Sequence, residues 1–210
     1  MITIFHLLPK PKAVKFSAWF IRRLAFIRVN IKGNPDPEAQ MFLLNHQSDL
    51  DICIMETITS KDLAWVAKKE LFDVPFFGLV VKLPKDIALE RESKTALVKL
   101  IRECKDRLDH DRVITIFPEG TRTETGKMKP FKQGAKIVAD KYALKVQPVL
   151  LIATAWHFSN KRKDFHPGTV TAIYMDSFIA DKNDAEWLEN LREQMQKVYD
   201  DELANHPRYR

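Results

Sequence analysis

Short apolar runs alternate with helical patterns along most of this 210-residue chain, and this alternation restricts the possible fold. Apolar runs of about four to eight residues are typical of buried strands, whereas apolar residues spaced by three and four are typical of helices. Strands that alternate with helices form a mostly parallel or mixed sheet covered by helices. We therefore predict an α/β fold. The predicted strands are 40–45, 63–67, 86–90, 112–117, 146–152 and 169–175.

Helical stretches lie between and after these strands. The clearest is 93–108, in which Ala96, Leu100 and Cys104 share one apolar face and Ser93 can cap the first turn. Two further helices are predicted at residues 131–143 and 184–203.

Positive charge is concentrated at the start of the chain. Seven basic residues and no acidic residue precede Asp36. Without those seven, the 34 Lys and Arg residues fall to 27, against 28 acidic residues, so the remainder is close to neutral. This distribution disfavours a broad nucleic-acid-binding face and favours a local anionic partner. A linker at 33–37, with one Gly and two Pro, is predicted to divide an N-terminal segment (1–34) from an α/β domain (35–210).

Residues 13–29 resemble an amphipathic helix that lies along a membrane surface. Lys15, Arg22 and Arg28 flank an apolar stripe, and Arg23 falls within it. Two alternatives remain open, because the helix can pack on its own domain, and an Arg-rich, acid-free start is also typical of an organelle transit peptide. The apolar residues of the stripe are Phe16, Trp19, Phe20, Leu24, Phe26 and Ile27.

The remaining composition bears on location. No stretch approaches the roughly 18 uncharged apolar residues of a membrane span. We therefore expect a peripheral or monotopic membrane protein that contacts the membrane surface through residues 1–32. Cys53 and Cys104 lie in apolar-periodic stretches without neighbouring cysteines, which indicates reduced core thiols and a location on the cytoplasmic side.

Two short strings carry the residues best suited to chemistry. One reads Asn-His-Gln-Ser-Asp-Leu-Asp at 45–51, after the apolar run 41–44. The other reads Phe-Pro-Glu-Gly-Thr-Arg at 117–122. Its first residue, Phe117, is the last residue of the apolar run that begins at Val113. Arg91 follows a third predicted strand. Because ligands gather beyond the carboxyl ends of strands in an open α/β sheet, we expect these segments to meet at one edge.

His46 and Asp51 are predicted to form a general base. The carboxylate, one turn into the next helix, can bind one ring N–H, fix the tautomer and raise the basicity of the other nitrogen. A histidine and an aspartate with this spacing are mostly incidental when they occur alone. Here the string at 117–122 accompanies them, which favours a functional pair. The chain has no Gly-x-Ser-x-Gly elbow and no cysteine in a nucleophile context. A substrate hydroxyl is therefore expected to attack directly, and the scattered remaining histidines predict no metal site.

Arg91 and Arg122 are predicted to bind a phosphate group. Their guanidinium forks match a phosphate monoester, and the turn Gly120-Thr121-Arg122 would seat it because glycine lets the backbone approach closely. A surface ion pair is the alternative for each arginine. Glu119 either binds a glycerol hydroxyl or holds Arg122 in place, and the second is favoured. A general base beside a phosphate-binding turn indicates acyl transfer onto a phosphate-bearing alcohol.

These residues resemble the glycerolipid acyltransferase family, especially its lysophosphatidate acyltransferases. Residues 46–51 are similar to the family's first block, whose histidine is the general base and whose aspartate is its partner. Residues 117–122 are similar to the third block, which binds the glycerol phosphate acceptor. Arg91 matches the arginine that closes the second block, and Pro148-Val149 matches the fourth, on the acyl donor side. The resemblance covers roughly residues 40–155.

The resemblance implies transfer of a fatty acyl group from an acyl thioester to the free hydroxyl of lysophosphatidate, forming phosphatidate in phospholipid biosynthesis. It implies no metal or other cofactor. The expected partners are the lysophospholipid, acyl-CoA or an acyl carrier protein, and the membrane surface, and no nucleic acid is expected. The second block departs from the family pattern at Leu83-Pro84-Lys85-Asp86, so glycerol 3-phosphate or another lysophospholipid remains an alternative acceptor. A lipid-binding protein without catalysis is the other alternative, which the intact His46 and Asp51 disfavour.

Overall fold

A computed structural model describes residues 10–75, 77–90, 95–159 and 161–205. The first part of the chain forms α1 (Lys10–Leu24), β1 (Ile27–Lys32), β2 (Met41–Leu44), α2 (Leu50–Ile58), β3 (Leu63–Lys68), α3 (Lys69–Phe72), α4 (Phe77–Lys82), β4 (Ile87–Leu89) and α5 (Ala96–Leu108). The second part forms β5 (Val113–Ile116), α6 (Gln133–Tyr142), β6 (Lys145–Ile152), α7 (Thr154–His157), β7 (Phe158–Ser159), β8 (Asp164–Phe165), β9 (Gly168–Tyr174), β10 (Phe178–Ile179) and α8 (Trp187–Asn205).

The main sheet has eight strands in the order β1-β9-β6-β2-β5-β3-β4, with β10 paired to β6. Its central part is parallel, because β2 pairs in parallel with β6 and β5, and β3 pairs in parallel with β5 and β4. In contrast, β9 and β10 run antiparallel to β6, and β1 is parallel to β9. The sheet is therefore mixed, as predicted, and β2, β5 and β6 end at the same edge.

Helices cover both faces of this sheet. The central strand β2 supplies Met41 and Leu43 to a core shared with α5, α6 and α8. Its alternate residues, Phe42 and Leu44, enter a second core with Ile54 of α2. All four strand residues are 0% exposed. A strand buried on both faces reads as a continuous apolar run, which explains why β2 is recognisable in the sequence.

The six predicted strands are confirmed, each within one residue of its predicted ends. The helices predicted at 131–143 and 184–203 correspond to α6 and α8. The helix predicted at 93–108 corresponds to α5, which begins at Ala96, and Ser93 lies outside the described residues. The additional short elements are α3, α4, α7, β7, β8 and β10.

The N-terminal helix ends earlier than predicted. The prediction for 13–29 is wrong at its C-terminal end, because α1 ends at Leu24 and the chain turns at Phe26, which has a left-handed φ of 50°. The next residues form β1, a strand of the main sheet. The predicted division between 1–34 and 35–210 therefore leaves one strand of the sheet in the N-terminal segment.

The predicted linker at 33–37 is docked on the sheet. Gln147 of β6 accepts a hydrogen bond at Oε1 from the backbone N–H of Asp36, at 2.9 Å. The Asp36 carboxylate accepts a hydrogen bond from Ser177 and pairs with Lys145, and these contacts lower its pKa to about 2. The connection between β1 and β2 is therefore fixed by side chains of the α/β domain.

The helix α1 packs on α2 with one face and exposes the other. Ser17 and Ala18 are buried, and Lys15 Nζ donates to the carbonyl oxygens of Thr59, at 2.8 Å, and Glu56, at 3.3 Å. The buried face of α1 therefore packs on the helix's own domain, which was the alternative to a membrane-surface helix. Within the described residues, no helix is both long and apolar enough to cross a membrane. Near α1, large apolar side chains remain between 41% and 76% exposed, namely Phe16, Trp19, Phe20, Ile21, Leu24 and Phe26.

Candidate active site

Two loops meet at the edge of the sheet where β2, β5 and β6 end. Residues 45–49, here called the His46 loop, connect β2 to α2, and residues 117–132, here called the Glu119 loop, connect β5 to α6. Since β2 and β5 are parallel neighbours, both loops leave the same edge, as predicted. Arg91 lies outside the described residues. The strand β4, which is parallel to β3, ends just before it at Leu89.

A buried carboxylate orients the imidazole of His46. Asp51 is 0% exposed, and its Oδ2 lies 2.9 Å from His46 Nδ1. The same oxygen accepts hydrogen bonds from the backbone N–H groups of Gln47, at 2.7 Å, and Ser48, at 2.9 Å. An ionised carboxylate can only accept, so a hydrogen bond here requires the proton on Nδ1 and makes Nε2 the acceptor nitrogen of the neutral imidazole.

Two polar side chains fix the ends of the His46 loop. Asn45 donates from Nδ2 to Leu151 O at 2.9 Å and accepts at Oδ1 from Leu151 N at 2.8 Å, which joins the end of β2 to β6. Ser48 Oγ accepts from the backbone N–H of Leu50 at 3.1 Å and donates to Phe158 O at 2.7 Å. The loop is therefore bonded to three neighbouring segments.

An aromatic stack supports one face of the imidazole. The His46 ring lies 3.8 Å from the Phe117 ring, with 13° between the planes. Phe117 in turn stacks on Trp65 at 5.3 Å. Trp65 is not among the predicted site residues, because a tryptophan in a strand is typical of a core residue. The stack and the Asp51 carboxylate together restrict the rotation of the imidazole.

Glu119 joins the two loops. It is 2% exposed, and its Oε1 accepts from the backbone N–H of His46 at 3.0 Å. Its Oε2 accepts from Thr123 Oγ1 at 3.0 Å and from the backbone N–H of Lys129 at 2.9 Å. The favoured prediction that Glu119 holds Arg122 is therefore wrong, and this burial gives no support to contact with a glycerol hydroxyl. Glu119 supports the main chain at His46.

Arg122 lies at the opening of the site. Its Nη1 pairs with Asp49 Oδ2 at 2.7 Å, and the side chains are 41% and 50% exposed. Gly120, with a φ of 68°, makes the left-handed turn that precedes Thr121 and Arg122. All three line the same cleft as His46. The geometry thus brings the predicted phosphate-binding turn to the predicted base.

A largely apolar cleft of about 1050 Å³ opens beside His46. It runs between α1 and α2 on one side and β3 on the other, and passes the stacked Phe117 and Trp65 rings. Cys53 also lines the cleft, and burial raises the pKa of its thiol to about 11. Such a thiol stays protonated near neutral pH and is a poor nucleophile. Apolar lining residues include Val14, Ala18, Ile21, Ile52, Leu63 and Val66.

The far end of the cleft is polar and lies at the opposite edge of the sheet, before β4 and β5. Asp86 Oδ1 accepts from the backbone N–H of Trp65 at 3.1 Å and lies 3.6 Å from Arg112 Nη2. Glu56 accepts from Trp65 Nε1 at 2.8 Å and lies 3.7 Å from Lys15 Nζ. Burial raises the pKa of Asp86 to about 8 and also raises the pKa of Glu56.

A family model described as acyltransferase matches residues 14–152. The chain belongs to the acyltransferase family. The matched region contains the His46 loop, Asp51, the Glu119 loop and the cleft, and it ends before α8. The sequence resemblance and the expectation of an acyltransferase enzyme are thus confirmed.

Named relatives of this acyltransferase share most of its length. The 1-acyl-sn-glycerol-3-phosphate acyltransferase of Helicobacter pylori (strain J99) is 41% identical over 168 residues, which cover 80% of this chain and 71% of that protein. The protein of the same name from Pseudomonas aeruginosa is 33% identical over 163 residues, which cover 76% of this chain and 62% of that protein.

A solved structure shares the fold. The crystal structure of the 1-acyl-sn-glycerophosphate (LPA) acyltransferase PlsC from Thermotoga maritima matches with a TM-score of 0.71 and 25% identity. The match covers 97% of this chain and 86% of that chain. The predicted fold class, a mixed sheet with helices, is therefore confirmed.

Asp86 is expected to make the stability of the acyltransferase depend on pH. Its folded pKa of about 8 exceeds its ordinary value of 3.8, so the folded protein keeps a proton that the unfolded chain releases between these values. The stabilisation is complete below the lower value and is lost as pH rises through about 8. Asp86→Asn keeps an acceptor for Trp65 N–H without titrating. The drop in the thermal unfolding midpoint between about pH 5.5 and pH 8.5 should therefore be smaller in this variant.

The matched control for Asp86 is Asp62→Asn. Asp62 lies 3.3 Å from Arg112 but is 37% exposed, so this variant should keep the parental pH dependence. Equal losses of unfolding temperature in the parent and in Asp86→Asn would show that Asp86 does not retain its proton.

Proposed function

We propose that this acyltransferase transfers a fatty acyl group from an acyl thioester to the free hydroxyl of lysophosphatidate, forming phosphatidate in phospholipid biosynthesis. The observation that carries the proposal is the His46–Asp51 pair at an apolar cleft whose opening also holds Arg122. The names of the relatives from H. pylori, P. aeruginosa and T. maritima support lysophosphatidate as the acceptor.

His46 acts as the general base in this proposal. Its Nε2 takes the proton of the acceptor hydroxyl while the hydroxyl oxygen attacks the thioester carbonyl carbon. Asp51 stabilises the imidazolium that forms. When the tetrahedral intermediate collapses, the C–S bond breaks and Nε2 returns the proton to the departing thiolate. Atoms and electrons balance without a covalent enzyme intermediate, and the thioester is itself the activated donor, so the step requires no metal or redox cofactor.

Arg122 binds the acceptor phosphate in this proposal, together with Arg91. The observed Arg122–Asp49 pair is the surface ion pair considered as the alternative role. Exposed pairs contribute only about 0–1 kcal/mol, so a phosphate can compete for the guanidinium at small cost. A bidentate phosphate contact would fix the distance between the acceptor hydroxyl and His46, which converts binding energy into orientation.

The cleft receives the acyl chain of the donor. Its apolar wall begins beside His46 and Phe117 and continues beneath α1. A hydrocarbon chain placed along this wall would leave water, and each buried CH₂ contributes about 0.8 kcal/mol. Coenzyme A and acyl carrier protein both present the chain as a thioester, and both fit this proposal.

The exposed face of α1 holds the protein on an anionic membrane surface. This face carries Trp19 and Phe20, with Phe26 just beyond it. The strand β9 begins at the active-site edge, because it runs antiparallel to β6, which ends there. Gly168, the first residue of β9, donates its N–H to Phe26 O at 3.3 Å, so the end of α1 lies at the same edge. A lipid acceptor would therefore reach His46 by a short path. We place the protein on the cytoplasmic side, where its unpaired thiols stay reduced.

Removing the proposed base should abolish most of the activity. We expect His46→Ala to lower kcat by at least about 10²–10⁴-fold. Asp51→Asn should also lower kcat, because an amide can donate to Nδ1 and so favours the wrong tautomer. Thiol release from acyl-CoA in the presence of lysophosphatidate measures both effects, with thermal unfolding as the check on folding. Thiol release by the parent also separates an enzyme from a lipid-binding protein without catalysis.

His166→Ala is the control for the base, since this histidine directly follows β8, is 38% exposed and should be dispensable. A well-folded His46→Ala variant with near-parental turnover would contradict the mechanism.

Weakening the phosphate contact should affect the acceptor alone. Arg122→Lys keeps the charge but loses the bidentate fork, so kcat/KM for lysophosphatidate should fall by about 10–100-fold, as for other hydrogen bonds to charged groups. Arg91→Ala should behave similarly, and the KM for acyl-CoA should change little. Arg192→Lys makes the same exchange at an arginine on α8 that bonds Glu189 and should match the parent.

Competing acceptors complete this test. Glycerol 3-phosphate and lysophospholipids with larger head groups should react more slowly than lysophosphatidate. If the Arg122 and Arg91 variants weakened only acyl-CoA binding, the phosphate assignment would be wrong.

Removing the exposed aromatic residues should release the protein from membranes. Basic residues near an anionic surface contribute about 1 kcal/mol each and are screened by salt, whereas the aromatic contribution resists salt. Binding to phosphatidylserine-containing vesicles should therefore weaken in high salt without vanishing, and Trp19 fluorescence should shift to the blue. The triple variant Trp19→Ser, Phe20→Ser, Phe26→Ser should lose vesicle binding and retain activity on a soluble short-chain acceptor.

The control replaces exposed apolar residues on other elements of the protein. It carries Val98→Ser, Ile137→Ser and Ile179→Ser, which are 69%, 36% and 66% exposed. This variant should bind vesicles like the parent. Unchanged vesicle binding by the aromatic triple variant would exclude α1 as the membrane contact.

A further inference from the structure

The C-terminal helix α8 lies beyond residues 14–152, the region matched by the family model, yet it contacts the His46 loop. Tyr199 is 3% exposed, and its hydroxyl oxygen accepts a hydrogen bond from Gln47 Nε2 at 2.7 Å. Gln47 is 5% exposed and directly follows His46. A buried tyrosine from the end of the chain is thus bonded to the neighbour of the proposed base.

The same helix also contacts the Glu119 loop. Gln196, three residues before Tyr199 on α8, donates to Gly126 O at 3.0 Å and accepts from Met128 N at 2.7 Å. A Cβ on Gly126, whose φ is 77°, would lie 3.4 Å from the Tyr199 ring. Residues three apart on a helix point to the same side. One side of α8 therefore holds both loops of the site.

Gln47 links Tyr199 to the proposed base through the main chain. The backbone N–H of Gln47 donates to Asp51 Oδ2 at 2.7 Å, and that same oxygen lies 2.9 Å from His46 Nδ1. The side chain of Gln47 is fixed by Tyr199 on one side and its backbone by Asp51 on the other. A shift of Gln47 would therefore move the oxygen that orients the imidazole.

We propose that Tyr199 is a positioning residue for acyl transfer, which acts through Gln47 to keep the Asp51 carboxylate and the His46 imidazole aligned. The inference rests on the proposed role of His46 as the base. Losing the tyrosine hydroxyl leaves a buried amide N–H without its acceptor, and the loop must shift to satisfy it. The reacting atoms tolerate such shifts poorly, since a misplacement of about 1 Å can cost about 10²-fold in rate.

The test compares two Tyr→Phe variants of the full chain. Tyr199→Phe should lower kcat by about tenfold, less than a full 1 Å misplacement would, with the KM for acyl-CoA and lysophosphatidate unchanged. Tyr142→Phe is the matched control, because its hydroxyl, on α6, donates to Ile101 O of α5 at 3.3 Å and contacts neither loop of the site. This control should keep the parental kcat. Thermal unfolding midpoints show whether the two variants are equally folded.

A double-mutant cycle shows whether Tyr199 acts through Gln47. In a Gln47→Met background, which lacks the amide, Tyr199→Phe should cause no further loss of kcat. An undiminished loss in that background would overturn the proposal, because the hydroxyl would then act by another route.

His46→Ala, assayed in parallel, separates the possible failures. If His46→Ala keeps parental turnover, the proposed base is wrong and the positioning role falls with it. If His46→Ala is inactive and Tyr199→Phe retains the kcat of Tyr142→Phe, only the role of Tyr199 is overturned.

Discussion

One buried carboxylate oxygen orders the active site. Asp51 Oδ2 binds the His46 imidazole and the backbone N–H groups of Gln47 and Ser48 at distances of 2.7 to 2.9 Å. An ionised carboxylate is costly to bury unless hydrogen bonds replace its water. The three donors replace it at Oδ2, whereas Oδ1 is buried without a hydrogen-bond partner among the described residues. The carboxylate also lies at the start of α2, where the helix dipole favours negative charge. The imidazole is consequently tied to the main chain that follows β2.

A second buried carboxylate extends this arrangement across the site. Glu119 accepts from the backbone N–H groups of His46 and Lys129, so the two loops depend on each other for satisfied hydrogen bonds. The parallel pairing of β2 with β5 brings the loops to the same edge. The imidazole is therefore held by buried polar groups and by the aromatic stack, and the cleft that these rings line also contains the half-exposed Arg122 at its opening.

The parts of the fold that the sequence predicts depend on local patterns. Strands such as β2 and β5 are buried on both faces and read as continuous apolar runs, and His46 and Asp51 are close enough in sequence for a turn to bring them together. The strand β1 is not predicted because it is an edge strand whose residues are mostly exposed, so its sequence Ile-Arg-Val-Asn-Ile-Lys is not a continuous apolar run. The sequence does not predict the partners of Glu119, because the choice between Arg122 and backbone N–H groups depends on which loop lies opposite. Tyr199 has no sequence signal, since a tyrosine on the buried stripe of α8 is typical of a core residue.

The position of the imidazole proton tests the central feature of the site most directly. In protein labelled with ¹⁵N at histidine, long-range ¹H–¹⁵N correlation spectra distinguish Nδ1 from Nε2. Well above the ordinary histidine pKa of about 6.5, we expect His46 to carry its proton on Nδ1, facing Asp51, and to have an unprotonated Nε2. A proton on Nε2 would contradict the assignment of His46 as the base, because that nitrogen could not accept the hydroxyl proton of the acceptor.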